Sequence, residues 1–294
     1  MGFSVTFWGT RGSIPTPGPS TKRFGGDTSC VELRAGETVL VCDAGTGLRK
    51  LGAELLRRSS PVVVHLFLSH PHWDHIQGFP FFTPAYVPTT VMNVYCVAGG
   101  QERLRDLLSG QMQPDYFPIR FSDLGAKIER RDLQLGANDV DGVRVTTMPL
   151  THPGTSFGFA FEYEGAKVVY ATDNEIDLTF EHPERVQDDL DAPRPIPEAL
   201  VEFVRDADLL IADGQYTDEE YPTKIGWGHA RATTLVDLAI TAGVKKLAIF
   251  HHDPLHDDAR VDSIVESCCE RAMRLGGDGL RIFGAREGFE LRIG

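Results

Sequence analysis

Between residues 67 and 80 the chain reads FLSHPHWDHIQGFP, placing three histidines and an aspartate within six positions directly after an apolar run. That run, VVVHLFLS (62–69), reads as a buried strand ending at Ser69. In the loop that follows, alternate residues point the same way, so His70 and His72 can meet one cation. Asp74 and His75 come next, as the chain turns, and can reach a second cation beside the first. Imidazole nitrogen and carboxylate oxygen suit zinc and other borderline divalent ions. Ten histidines serve all 294 residues, and chance crowding in a surface loop does not account for four donors in this order. Such a cluster constrains the fold, because two cations need more donors than one loop holds.

Three further segments supply them. LTHPGT places His152 just after the strand-like VRVTTMPL (143–150), VVYATDNE places Asp173 at the end of KVVYATD (167–173), and LAIFHHDP places His251 at the end of KLAIFHH (246–252). Each lies where a strand leaves a sheet, and there side chains from distant segments can converge. The donors divide into His70, His72 and His152 for one ion and Asp74, His75 and His251 for the other, with Asp173 bridging both.

Other strand-like runs are FSVTFW (3–8), CVELR (30–34), TVLVCD (38–43), VMNVYCV (91–97), FGFAFEY (157–163) and DLLIADG (208–214). Helical patterns cover 46–59, 99–111, 197–207, 231–243 and 259–276. A strand-rich first part followed by alternating helix and strand is met by one core of stacked sheets flanked by helices, an α/β arrangement in a single domain spanning 1–294. The acidic, proline-bearing stretch 174–197 reads as an excursion or lid, because its charge opposes burial.

Composition narrows the function classes. The formal charge of −13 argues against a broad electrostatic grip on duplex DNA, although a cation pair would reverse the sign locally. No apolar run is long enough to span a bilayer, so no membrane partner is expected. Five cysteines, an odd number, suggest no disulfide framework and point to the cytoplasm.

The ordered set His70-x-His72-x-Asp74-His75, His152, Asp173 and His251 resembles the metallo-β-lactamase-fold hydrolases, over most of the chain. That resemblance implies a four-layer αββα sandwich with a dinuclear site along one edge, and CDAGTG (42–47) would place Asp43 behind the metal ligands. The phosphodiesterase branch, ribonuclease Z and the enzymes that open cyclic nucleotides, is closer still. GTRGSIP (9–15) is similar to its glycine-rich turn, and GWGHARATTLVDLAITAGVKKLAIFHHDP (226–254) to the segment whose histidine faces the scissile phosphate, which would be His229. The same register, set by Pro254, favours His251 over His252 as the ligand. In DLLIADGQY, Ala212 and Asp213 stand at the branch's His and Glu positions, so Asp213 would orient His229 with a shorter reach. A homodimer is also implied.

Together these readings lead to an expectation of a metal-dependent phosphodiesterase holding two divalent ions, with zinc expected and manganese as the alternative. The ions would lower the pKa of a bridging water, Asp74 would orient the resulting hydroxide, and His229 would protonate the leaving alkoxide. Only 20 residues separate His152 from Asp173, too few for a long tRNA-grasping arm. The expected substrate is therefore a small phosphodiester, a cyclic nucleotide first. The alternatives are ribonuclease Z-like cleavage of tRNA 3′ ends, then a lactonase or thioesterase, then a non-catalytic zinc-binding protein. The aromatic run GFPFFTPAY (78–86), with PDYFP (114–118), could either stack a nucleobase or form a dimer surface.

Overall fold

The computed structural model describes residues 2–58, 61–97, 104–183 and 192–294. Phe3, Val5 and Phe7 alternate along β1 (Phe3–Gly9) and are buried together, the pattern of a strand with one face on a core. β2 (Cys30–Ala35), β3 (Thr38–Cys42), β4 (Val63–Phe67), β5 (Val91–Val97) and β6 (Lys127–Leu133) continue this sheet to one edge. A second sheet is built from β7 (Gly136–Val140), β8 (Val143–Leu150), β9 (Ser156–Tyr163), β10 (Ala166–Ala171), β11 (Leu209–Asp213), β12 (Lys246–Phe250) and β13 (Arg281–Gly284). The chain then returns to the first sheet, where β14 (Glu290–Ile293) pairs with β1.

The orders are β14-β1-β2-β3-β4-β5-β6 and β13-β12-β11-β10-β9-β8-β7. Strands β3 to β6 run parallel in the first sheet, and β10 to β13 run parallel in the second. Parallel neighbours need crossovers. α1 (Leu48–Arg58), α2 (Trp73–Ile76), α3 (Leu104–Gly110), α4 (Glu198–Val204), α5 (Ala232–Thr241) and α6 (Asp258–Arg274) lie in those connections. Between the sheets Phe67 meets Phe159 and Phe161 edge-on, with ring centroids 5.5 and 5.1 Å apart. Outside the first sheet, Leu48, Leu51 and Leu55 of α1 pack with Phe79 and Phe82. Outside the second, α4, α5 and α6 contribute Val204, Leu235 and Ile264. The result is the expected four-layer αββα sandwich.

Four strands escaped the sequence pattern: β6, β7, β13 and β14. β6 reads KIERRDL and lies at the edge of its sheet, where Glu129 pairs with Lys127 and Arg131, and Arg130 with Asp132. An edge strand bearing charge hides its pleat from a hydropathy pattern and discourages pairing with another chain. The helix expected over 99–111 is described from Leu104, and residues 98–103 lie outside the described set.

Charge does not keep the start of the 174–197 stretch out of the interior, contrary to the reason given for expecting a lid. Asn174, Glu175, Ile176 and Asp177 are all buried. Arg194, near its far end, is also buried and joins a network under α5 and α6. Its backbone N–H donates to Asp237 (2.7 Å), while the Arg271 guanidinium donates to the same carboxylate at 2.8 and 3.1 Å. Residues 184–191 of the stretch lie outside the described set.

Asp237→Ala takes the carboxylate from the buried Arg271 guanidinium and the acceptor from the Arg194 N–H, a loss expected to cost about 3–5 kcal/mol. Urea unfolding of the variant against the wild type measures it, and a difference below ~1 kcal/mol would show that the network does not hold α5 to α6.

Candidate metal centre

The segments that carry the candidate ligands leave the two sheets at one edge. β4 runs out at Phe67, and after Leu68 the chain reaches Ser69, His70 and His72. β10 ends at Ala171, just before Thr172 and Asp173, and β12 ends at Phe250, just before His251. This is the carboxyl end of each parallel segment, the usual place for a site in an open α/β sheet. Three residues at such exits, Asp43, Asp173 and His251, have φ of 62°, 54° and 59°. That left-handed conformation is uncommon for residues other than glycine, and it persists where the surroundings over-determine it.

Asp173 stands in the middle. Its Oδ2 lies 3.5 Å from His70 Nε2 and 3.7 Å from His152 Nε2, and its Oδ1 lies 3.3 Å from both His75 Nε2 and His251 Nε2. One carboxylate therefore faces two sets of donors with its two oxygens. His72 Nδ1 closes the first set, 3.1 Å from His152 Nε2. Asp74 Oδ2 closes the second, 3.1 Å from His251 Nε2 and 3.3 Å from His75 Nε2. All seven residues expected from the sequence meet here.

The outer nitrogen of four of these histidines is already engaged. His70 Nδ1 donates to Ser69 Oγ (3.0 Å), His75 Nδ1 to Asp43 Oδ2 (2.7 Å), His152 Nδ1 to the Gly228 carbonyl (2.9 Å) and His251 Nδ1 to Gln215 Oε1 (3.0 Å). Each bond fixes the tautomer with its proton outward and leaves Nε2 as a lone-pair donor toward the centre. His70 Nε2 and His75 Nε2 are buried and make no hydrogen bond. Buried polar atoms are rarely left in that state, and divalent cations fit them.

The electrostatics agree. Burial and the nearby charge of His75 hold the His70 imidazole well below its usual pKa, in the neutral form a ligand needs. Burial works against ionisation of Asp173 and Asp74, yet the surrounding histidines hold both well below the usual carboxylate range. His75 goes the other way: burial lowers its pKa, but Asp74, Asp173 and Asp43 together raise it well above normal. A cation bound there must displace that proton.

His229 and Asp213 lie against the second set. His229 Nδ1 donates to Asp213 Oδ2 at 2.7 Å, so the aspartate reaches the histidine despite its short side chain. Asp213 also groups with Asp173, His229 and His251 as a possible donor. Its oxygens are spoken for, however: Oδ2 by His229 and Oδ1 by the Gln215 N–H at 3.1 Å. His252, the neighbour of His251, turns away and donates from Nε2 to the Ala285 carbonyl (2.8 Å). His65 binds the Tyr95 hydroxyl and Asp141 elsewhere in the sandwich, and His182 is exposed. The aromatic run 78–86 serves mainly as core, with Phe79 and Phe82 buried and Phe81 exposed against Phe117.

Two glycines are demanded by this packing. A Cβ at Gly12, in the GTRGS turn, would come within 2.4 Å of the His251 ring, and one at Gly228, where φ is 92°, within 2.1 Å of His152 Nδ1. The neighbouring Ser13 N–H donates to Asp74 Oδ2 at 2.7 Å.

Sequence reasoning missed Glu175 and Gln215. Glu175 is fully buried and accepts from the Gly226 and Gly228 N–H groups at 2.7 Å each and from the Tyr221 hydroxyl at 2.8 Å. Gln215 holds His251 with its oxygen and donates to Asp253 with its nitrogen. Both lie two residues beyond a candidate site aspartate, and that spacing is their only local signal.

A family described as Beta-lactamase superfamily domain matches residues 38–252. The chain belongs to the β-lactamase superfamily. Ribonuclease Z of Natronomonas pharaonis is 27% identical over 292 residues, covering 85% of this chain and 87% of that one. Among solved structures, unliganded yeast PDE1 superposes with a TM-score of 0.68 at 16% identity, and the short form of human tRNase Z with 0.62 at 19%. Each of these comparisons spans 99% of both chains, and at such identities they show the shared fold. Family membership and the His/Asp cluster together support a metal-dependent hydrolase. No helix among the described residues is long and apolar enough to cross a membrane.

Glu175→Ala removes the acceptor of two loop amides. Residue-resolved hydrogen exchange should show protection at Gly226 and Gly228 falling by at least tenfold, the loss of roughly one buried charge-assisted hydrogen bond. Unchanged exchange at both would mean that the loop is held by other contacts.

Proposed function

We propose that the chain cleaves a nucleotide phosphodiester at a dinuclear metal centre, with the ends of RNA as the first substrate. The observation that carries the phosphodiesterase reading is the His229–Asp213 pair set against the metal-ligand cluster, since an alkoxide leaving group needs a proton donor. RNA comes first because the curated relatives named ribonuclease Z match along most of the chain, ahead of the cyclic nucleotide favoured by the sequence alone. A cyclic nucleotide remains the second reading. It is favoured by the net charge of −13 and by the two-residue turn between Tyr163 of β9 and Ala166 of β10, which leaves no arm to grasp tRNA. Pre-tRNA and a panel of cyclic mono- and dinucleotides, offered to the metal-loaded protein, separate the two. Cleavage of neither would sink both.

In this reading His70, His72, His152 and Asp173 hold one cation, and Asp74, His75, His251 and Asp173 the other. Bound there, divalent ions supply Lewis-acid chemistry: they lower the pKa of water and neutralise phosphate charge. The protein's own residues do the rest. Asp74, fixed by the Ser13 amide, orients the nucleophile. Burial disfavours a charged His229, but the Asp213 carboxylate outweighs it and pushes the pKa up to about 9, so the ring carries a proton at neutral pH. Asp213 occupies Nδ1 and leaves the other nitrogen for the departing oxygen. Zinc is the expected metal, and the whole chain is expected to act as one domain in a homodimer. A cytoplasmic setting agrees with five free cysteines.

Elemental analysis of protein purified without chelator should then find close to two equivalents of metal per chain. Asp173→Ala should lower both, since it alone faces each set; loss of a single equivalent would mean that the carboxylate serves one ion.

His229→Ala should slow hydrolysis of an unactivated phosphodiester by roughly two to four powers of ten while leaving the metal content intact. Bis-p-nitrophenyl phosphate, whose leaving group needs no proton, should be far less affected. Asp213→Asn should give a weaker form of the same pattern. Equal losses on the two substrates would assign His229 to phosphate binding.

A further inference from the structure

Two of the chain's three tryptophans stand exposed beside the centre. Trp73, between His72 and Asp74, is 69% exposed, and Trp227, next to Gly228 and two residues before His229, is 59% exposed. The third, Trp8, is partly buried and donates its indole N–H to Glu32. Tryptophan is highly buried on average, so two open indoles flanking the same cluster stand out.

Both sit on a held backbone. Trp73 opens α2, where the Gln77 N–H donates to its carbonyl at 2.8 Å and the His75 N–H to the His72 carbonyl at 3.0 Å. Trp227 lies between the two glycines whose amides are fixed by Glu175, and its own N–H donates to the Lys224 carbonyl at 3.0 Å. The two segments are also linked to each other. His72 touches His152 at 3.1 Å, and His152 donates to Gly228 at 2.9 Å. The backbone that carries each indole is thus fixed relative to the candidate ligands.

A cation stands over one of them. Lys224 Nζ lies 4.1 Å over the Trp227 ring and 5.8 Å from that of Tyr216, whose ring in turn neighbours His229 at 5.9 Å. In a chain of net charge −13, a lysine held at this rim complements an anion. A flat aromatic face beside a fixed positive charge, next to a hydrolytic centre, matches a nucleotide: a base that stacks and a phosphate that pairs.

We propose that Trp73 and Trp227 form a base-binding rim, on which the nucleobase adjoining the scissile phosphodiester stacks, with Lys224 drawing in the phosphate. The proposal rests on the phosphodiesterase reading and deepens it, since it requires the substrate to be a nucleotide rather than a phosphate ester without a base.

Two substrates with one leaving group test it: the p-nitrophenyl ester of thymidine 5′-monophosphate, which carries a base, and methyl p-nitrophenyl phosphate, which does not. Base stacking on an aromatic side chain corresponds to about 5- to 150-fold in affinity. For metal-loaded Trp73→Ala and Trp227→Ala, the preference for the thymidine ester in kcat/KM should fall within that range in at least one variant, mainly through KM. Trp227→Phe should keep most of it. Thymidine 5′-monophosphate should quench the wild-type tryptophan fluorescence, and quench it less in the affected variant. An unaltered preference in both alanine variants overturns the rim. So does an unaltered preference accompanied by a change of oligomeric state in light scattering, which would make the indoles a surface between copies. Failure of the wild type to hydrolyse either ester would count against the phosphodiesterase reading, while the quenching still reports on base binding.

Discussion

Asp43 is a carboxylate with no exposure to solvent, lying where the two sheets meet at the edge that carries the site. It accepts from the Ser69 N–H and Oγ at 2.8 Å each, from His75 Nδ1 at 2.7 Å and from the Tyr170 hydroxyl at 2.7 Å. Burying a charge is costly unless it is fully hydrogen-bonded, and four charge-assisted bonds meet that condition. The bonds join the end of β3, where Asp43 stands, to the exit of β4, to the loop that carries His70 to His75, and to β10 in the opposite sheet. Most of the centre depends on this one group. Asp43 aims His75 directly, it fixes the Ser69 hydroxyl that aims His70, and through Tyr170 it ties the first sheet to the strand that delivers Asp173.

Around that anchor the site is assembled from exits rather than from one contiguous element. Segments leaving β1, β4, β8, β10, β11 and β12 each send between one and four groups to the same place, and the parallel portions of the two sheets make those exits coincide. The irregular conformations of Asp43, Asp173 and His251 and the obligatory Gly12 and Gly228 belong to the same requirement. They turn a chain leaving a sheet back across its edge, where a regular strand or helix would carry it away.

Most of this was legible in the sequence, for reasons that differ by residue. The convergence of the seven candidate ligands could be read because their donor types are rare and their spacing matches a loop after a buried strand. His229 and Asp213 needed the family resemblance, since a histidine after a glycine turn has no local distinction. Glu175 and Gln215 could not be read at all. Their partners lie 51 and 36 residues away in the chain, and a carboxylate in an acidic stretch looks like a solvated one until its amides are seen. The same acidic composition led to the expectation that residues 174–177 avoid burial, whereas Glu175 and Asp177 are buried because the N–H groups of Gly226, Gly228 and Arg231 meet them there. The edge strands β6 and β7 were hidden because half of an edge strand's partners are water.

The turn from Gly226 to Arg231 offers a different lesson, about inheritance. Its amides are gripped by Glu175 and Asp177, its Gly228 carbonyl aims His152, and its His229 leans on Asp213. A lineage drifting toward a new chemistry could not exchange His229 alone, since any altered path of the turn would re-aim His152 as well. The segments holding His152, Glu175, Asp213 and His229 are therefore bound to diversify as a block. Novelty would be cheapest at the positions the block leaves open to water.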